Sequence, residues 1–131
     1  MSDFTTAEFV AALRKTAAAN PDKVYTLPVI AEDDDGFPIY AEDCLYVEKD
    51  HETGKLVGSC LVGCALVDLG VEPEAMEDKL MSFSTLNRVL ELGVSADAAY
   101  WADTAQGQQD AEQPWGKAIQ FADEARKLEV V

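Results

Sequence analysis

The chain changes character across Leu56-Val57-Gly58-Ser59-Cys60-Leu61-Val62-Gly63-Cys64-Ala65-Leu66-Val67-Asp68-Leu69-Gly70. Leu56-Val57 closes a run of short β-type segments. From Ser59 onward, Val62, Ala65, Leu66 and Leu69 fall at i, i+3, i+4 and i+7, which is one face of a helix. Ser59 can cap that helix and Gly70 can stop it. The mainly apolar part, Leu56 to Val67, is 12 residues long and interrupted by Gly58, Ser59 and Gly63. A bilayer span needs about 20. The stretch therefore separates a strand-forming region before it from a helical region after it.

On the amino-terminal side, Thr5 and Glu8 have capping-box spacing, and Phe9, Leu13 and Ala17 then recur at helical spacing until Asn20-Pro21. Val24 to Ile30 is β-branched and aromatic and predicts a strand held at a sheet edge by Pro28. Glu32-Asp33-Asp34-Asp35-Gly36 is turn chemistry, as is His51-Glu52-Thr53-Gly54. Phe37-Pro38-Ile39-Tyr40 and Leu45-Tyr46-Val47 predict further short strands, so the middle third reads as a small antiparallel meander. On the carboxyl-terminal side, Pro73, Ser84, Ser95 and Pro114 each open a helix, and Gly93 ends one. Residues 1–131 thus read as one helix-rich α+β domain. It has an N-terminal helix, then the meander, then a bundle of four or five short helices.

Charge narrows the function classes. The 131 residues carry 25 acids and 10 bases, for a formal net charge of −15. A nucleic-acid binder draws its affinity from Lys and Arg, and so does an anchor on anionic lipid, so both are excluded. The first residues have no basic or apolar signal region, and three cysteines make no disulfide framework, which points to a cytoplasmic protein with reduced thiols. Seven acids and no base lie between Lys23 and Lys49. Such a surface steers association with basic partners.

Three constellations bear on chemistry. Cys44, His51, Cys60 and Cys64 are all the cysteines and the only histidine, and Cys₃His is an accepted structural zinc set. The spacing lacks the paired motif of zinc fingers, however, so buried thiols are the preferred reading and no metal is expected. Asp33, Asp35, Gly36 and Glu42 match positions 3, 5, 6 and 12 of a calcium loop, but Ala31 stands where the first ligand is needed, so an acidic hairpin turn is the reading. Leu92-Gly93-Val94-Ser95 resembles the turn of a helix-turn-helix. The following helix offers Gln106, Gln108 and Gln109 to bases but no Lys or Arg from Ser95 to Gln113, which leaves an ordinary helical hairpin. No catalytic motif is present, so an enzyme is not expected and no cofactor is implied.

Ser59-Cys60-Leu61-Val62-Gly63-Cys64-Ala65-Leu66 and the later Gln109-Asp110-Ala111-Glu112-Gln113-Pro114-Trp115-Gly116-Lys117-Ala118 resemble blocks found in small uncharacterised proteins of actinobacteriophages. The resemblance implies no activity or site, only a setting in the host bacterial cytoplasm. The resulting expectation is a non-enzymatic acidic protein that binds and modulates a host protein, with its oligomeric state open. A nucleic-acid mimic directed at a DNA- or RNA-binding protein, or a zinc-stabilised domain, are the alternatives. The candidate binding residues are Asp33, Asp34, Asp35 and Glu42 of the acidic turn, with Phe37 and Tyr40 as apolar anchors beside it. The competing structural reading of Phe37 and Tyr40 is that they face inward from their strand.

Overall fold

Ten elements form the chain in the computed structural model, which describes residues 3–41 and 44–128. They are α1 (Thr6–Ala19), β1 (Val29–Glu32), β2 (Pro38–Tyr40), β3 (Val47–Lys49), β4 (Leu56–Gly58), α2 (Leu61–Asp68), α3 (Pro73–Met76), α4 (Phe83–Val89), α5 (Ala96–Asp110) and α6 (Trp115–Ala125). The fold is α+β in the order expected. No helix among the described residues is long and apolar enough to cross a membrane.

Local sequence chemistry sets most helix ends. Thr5 Oγ1 accepts from the Glu8 amide while Glu8 Oε1 accepts from the Thr5 amide, closing the capping box of α1. Ser95 caps α5, and Pro114 precedes α6. Two caps move under tertiary constraint. The Ser59 amide donates to Tyr46 O and so prolongs the β3–β4 ladder, which passes the cap of α2 to Cys60, whose Sγ accepts from the Gly63 amide. The Ser84 amide is taken by Asp103 Oδ1, and α4 starts from Ser82 instead.

The β-region consists of two separate antiparallel hairpins, β1–β2 and β3–β4. Between them Ala41 and Cys44 are buried, so the chain leaves the first ladder for the core before starting the second. The predicted strand over 24–30 is ordered as strand only from Val29. Ahead of it, Tyr25 is buried with its hydroxyl accepting from the Leu45 amide, and Lys23 O accepts from the Trp115 amide. This segment is committed to the helical body, which removes it from sheet pairing.

The core joins both halves. Phe9 of α1 stacks on Phe83 of α4 with centroids 4.6 Å apart, and Trp101, Trp115, Leu61, Leu66 and Leu86 are fully enclosed around them. Helix α5 carries two buried glutamines. Gln109 Oε1 accepts from the Leu61 amide, one of the orphan donors at the start of α2. Gln106 Nε2 donates to Cys44 Sγ and to the Tyr46 hydroxyl, which in turn donates to Met81 O. These side chains fasten α5 to the β3–β4 hairpin and to α2.

Arg14 of α1 makes a bidentate pair with Asp123 of α6 at 2.8 Å, and Asp123 also accepts from Trp101 Nε1 at 3.0 Å. The Arg14 hydrogen bonds hold the Asp123 carboxyl below the ordinary carboxylate range, opposed by partial burial. The unfolded chain therefore takes up this proton first as pH falls. The stabilisation is complete above the ordinary carboxylate pKa of about 4 and is lost as pH drops through the depressed native value. Arg14, whose pKa is raised by the same bond, stays charged throughout that window. Urea midpoints between pH 7 and pH 3 should fall more steeply for the native protein than for Asp123→Asn. Parallel curves would remove this pair from the acid response.

Candidate functional site

The β1–β2 hairpin is built by its own turn. Asp33 Oδ1 accepts from the Asp35 and Phe37 amides, each at 2.9 Å, and the Asp33 amide donates to Phe37 O. Gly36 takes φ 83°, which an L side chain rarely adopts. This closes the acidic stretch as a hairpin loop flanked by strands. Asp33 spends its carboxylate on the loop, while Asp34 and Asp35 stand exposed.

Every residue of β1 and β2 is exposed. Phe37 is 66% exposed, Ile30 57% and Tyr40 52%, and Val29 and Ile39 are also open. Phe37 and Tyr40 therefore do not face inward: the core is filled without them, mainly by side chains of α1, α2, α4, α5 and α6. Asp33, Asp34, Asp35, Phe37 and Tyr40 come together on one projecting hairpin, whereas Glu42 lies outside the described residues. The strand edges are blunted, since Ile30 is an extra, bulged residue between the Val29–Tyr40 and Ala31–Ile39 pairs and Pro38 has no amide hydrogen. The surface thus offers side chains more than a free ladder.

At the root of the hairpin a groove of about 410 Å³ is lined by Thr26, Leu27 and Tyr40 on one side and Asp110, Ala111 and Glu112 on the other. Asp110 Oδ1 accepts from Gln109 Nε2 at 2.7 Å, and Glu112 occupies the left-handed position (φ 65°) that ends α5. Nothing in the local sequence pairs residues 26–40 with 110–112, so this wall of the site was missed. The exposed Val29, Ile30 and Ile39 were also missed, because β-type sequence signals strand without saying which faces are covered.

The structure brings the three cysteines near one another but leaves His51 apart from them. Cys44 and Cys60 are buried, Cys64 is half-buried one turn along α2, and His51 is exposed in the β3–β4 turn. Among the described residues, no group of three or more His, Cys, Asp or Glu is placed to hold a metal ion. The Cys44 thiol is pushed far above its ordinary value, first by its hydrogen bond with Cys60 and then by burial. Burial, followed by the nearness of Cys60, lifts Cys64 to about 11. Both thiols are neutral near pH 7 and poor nucleophiles. Gln106 and Gln109, the amides nearest to a base-reading pattern, are enclosed in the core.

No family model, curated protein or solved structure matches the chain.

Proposed function

We propose that this protein is a non-enzymatic binding module that docks on a basic protein of the host bacterial cytoplasm and modulates it. The observation that carries this reading is the β1–β2 hairpin, a two-stranded ribbon with five large apolar side chains in water. A lone hairpin is only marginally stable in water, and a clustered apolar surface rimmed by polar residues is the usual mark of an interaction site. The flanking Asp34 and Asp35 select the sign of the partner. A second copy of a chain with net charge −15 would be repelled, whereas a basic face would be drawn in and oriented. Aromatic anchors among charges are the common composition of binding hot spots. The phage-protein resemblance supplies the setting, and the neutral Cys44 and Cys64 thiols, with His51 apart from them, favour binding over catalysis.

The test is affinity capture from an actinobacterial lysate, washed at low and then moderate salt, alongside a Phe37→Ser/Tyr40→Ser double variant. Both side chains are exposed, so circular dichroism should show an unchanged fold. One dominant protein should survive moderate salt on the wild type and fall at least about tenfold on the variant. If that partner is a DNA- or RNA-binding protein displaced by DNA, the module acts as a nucleic-acid mimic. A smear of basic proteins, equal on both baits and lost as salt rises, would reduce the acidity to a generic field and overturn the proposal.

A further inference from the structure

Resting on that docking reading, we infer that the β1–β2 hairpin is clasped on both faces, seated in a cleft of the basic partner with its acidic tip at the cleft floor. The register separates the two faces. Val29 pairs with Tyr40 and Ala31 with Ile39, and consecutive residues of β2 point to opposite sides. Val29 and Tyr40 therefore share one face, and Ala31 and Ile39 the other. A ribbon lying on a core covers one of its faces. The β3–β4 hairpin does so: Val47 is buried and Leu56 and Gly58 are half-buried on one side, while Glu48 and Val57 are exposed on the other. In β1–β2 no position is covered. Val29 is 53% exposed and Tyr40 52% on one face, and Ile39 is 43% exposed on the opposite face. The Tyr40 side fronts the groove of about 410 Å³ at the hairpin root, which leaves room there for one wall of a partner.

Shape and charge together decide the occupant. A flat basic surface covers one face and leaves either Val29 and Tyr40 or Ile39 in water. An added strand finds no free ladder, because Ile30 is a bulged residue and Pro38 has no amide hydrogen. A second copy brings another charge of −15. A cleft of a basic protein meets each feature of the ribbon. Its two walls cover the apolar side chains of both faces. Its floor meets the tip, where Asp34 and Asp35 stand exposed and residues 24 to 48 hold no lysine or arginine. Arginine or lysine at the floor pairs with carboxylates that insertion would otherwise desolvate. Asp33 has a different task, since its carboxylate accepts from the Asp35 and Phe37 amides and keeps the tip in shape.

The experiment is hydroxyl-radical footprinting of the full chain, alone and in the complex retained from actinobacterial lysate at moderate salt. Mass spectrometry reads the oxidised side chains. Oxidation of Tyr40 and of Ile39, which lie on opposite faces, should both be lost in the complex. Two double variants, Val29→Thr/Tyr40→Thr and Ala31→Thr/Ile39→Thr, remove apolar area from one face each and keep the ladder, because threonine is a good strand former. Each should lower retention about three- to tenfold. Asp34→Asn/Asp35→Asn should lower it by a similar factor, about three- to tenfold. Protection and loss confined to one face would overturn the clasp while the docking reading stands. Full retention of Asp34→Asn/Asp35→Asn would overturn the basic floor. Protection of both faces in the purified chain alone, growing with its concentration, would make a second copy the occupant and overturn the cleft. A complex with neither face protected, or no retained protein, would remove both readings.

Discussion

Gly63→Ala should cost about 3 kcal/mol or more, a large share of the stability of a domain this size, although it adds one methyl group to a helix. A Cβ built on Gly63 would lie 1.8 Å from Tyr46 O and 2.9 Å from Tyr46 Cα. The obstacle is backbone, so no side-chain rotation relieves it. Helix α2 would have to move off the Tyr46 backbone just ahead of β3, and that shift would break the Gln109–Leu61 bond and disturb the Gln106–Tyr46–Met81 chain in the same region. Gly107→Ala provides the control. This glycine lies within α5 with nothing within 4 Å of the added carbon, so the exchange should stabilise by roughly 0.5–1 kcal/mol through helix propensity. Urea unfolding followed by circular dichroism separates the two. A Gly63→Ala midpoint near that of the wild type would refute the close seating of α2 on the Tyr46 backbone.

Trp101→Ala should cost about 3–5 kcal/mol, the range for removing a fully enclosed large aromatic side chain. Trp101 is completely buried in α5, and its loss empties the space between α1, α5 and α6. It also takes away the indole donor to Asp123 and the ring beneath the Arg14 guanidinium, 5.1 Å from its centroid. Trp101→Phe separates these contributions. It keeps most of the apolar volume and removes only the donor, and Asp123 still holds its two bonds to Arg14, so about 1–2 kcal/mol is expected. Equal losses for the two variants would assign the effect to the hydrogen bond, not to the filled volume.

The two expectations differ in how far the sequence could foresee them. The chain places Trp101 on the apolar stripe with Ala98, Ala102 and Ala105, so its burial was readable from periodicity. That Gly63 abuts the Tyr46 carbonyl was not, because a glycine inside a helical pattern carries no record of what passes beside it. The caps divide in the same way. Thr5 and Ser95 act on amides three residues ahead, and both sit as their spacing predicts. Ser59 and Ser84 have equally good local chemistry, but Tyr46 and Asp103 claim their amides from a distance.

For the candidate site, local sequence chemistry dictates a hairpin with an acidic loop and aromatic residues beside it. Asp33, Gly36 and Phe37 interact over four positions, within the reach of turn chemistry. The tertiary structure alone decided that this hairpin stands apart from the core with Phe37 and Tyr40 in water, and that Asp110 and Glu112 close a groove at its root. It also decided that Gln106 and Gln109 serve the interior instead of the surface. The physical reason is range. Caps and turns are settled by hydrogen bonds a few residues long, whereas exposure, groove walls and buried networks depend on which distant segments pack together in the core.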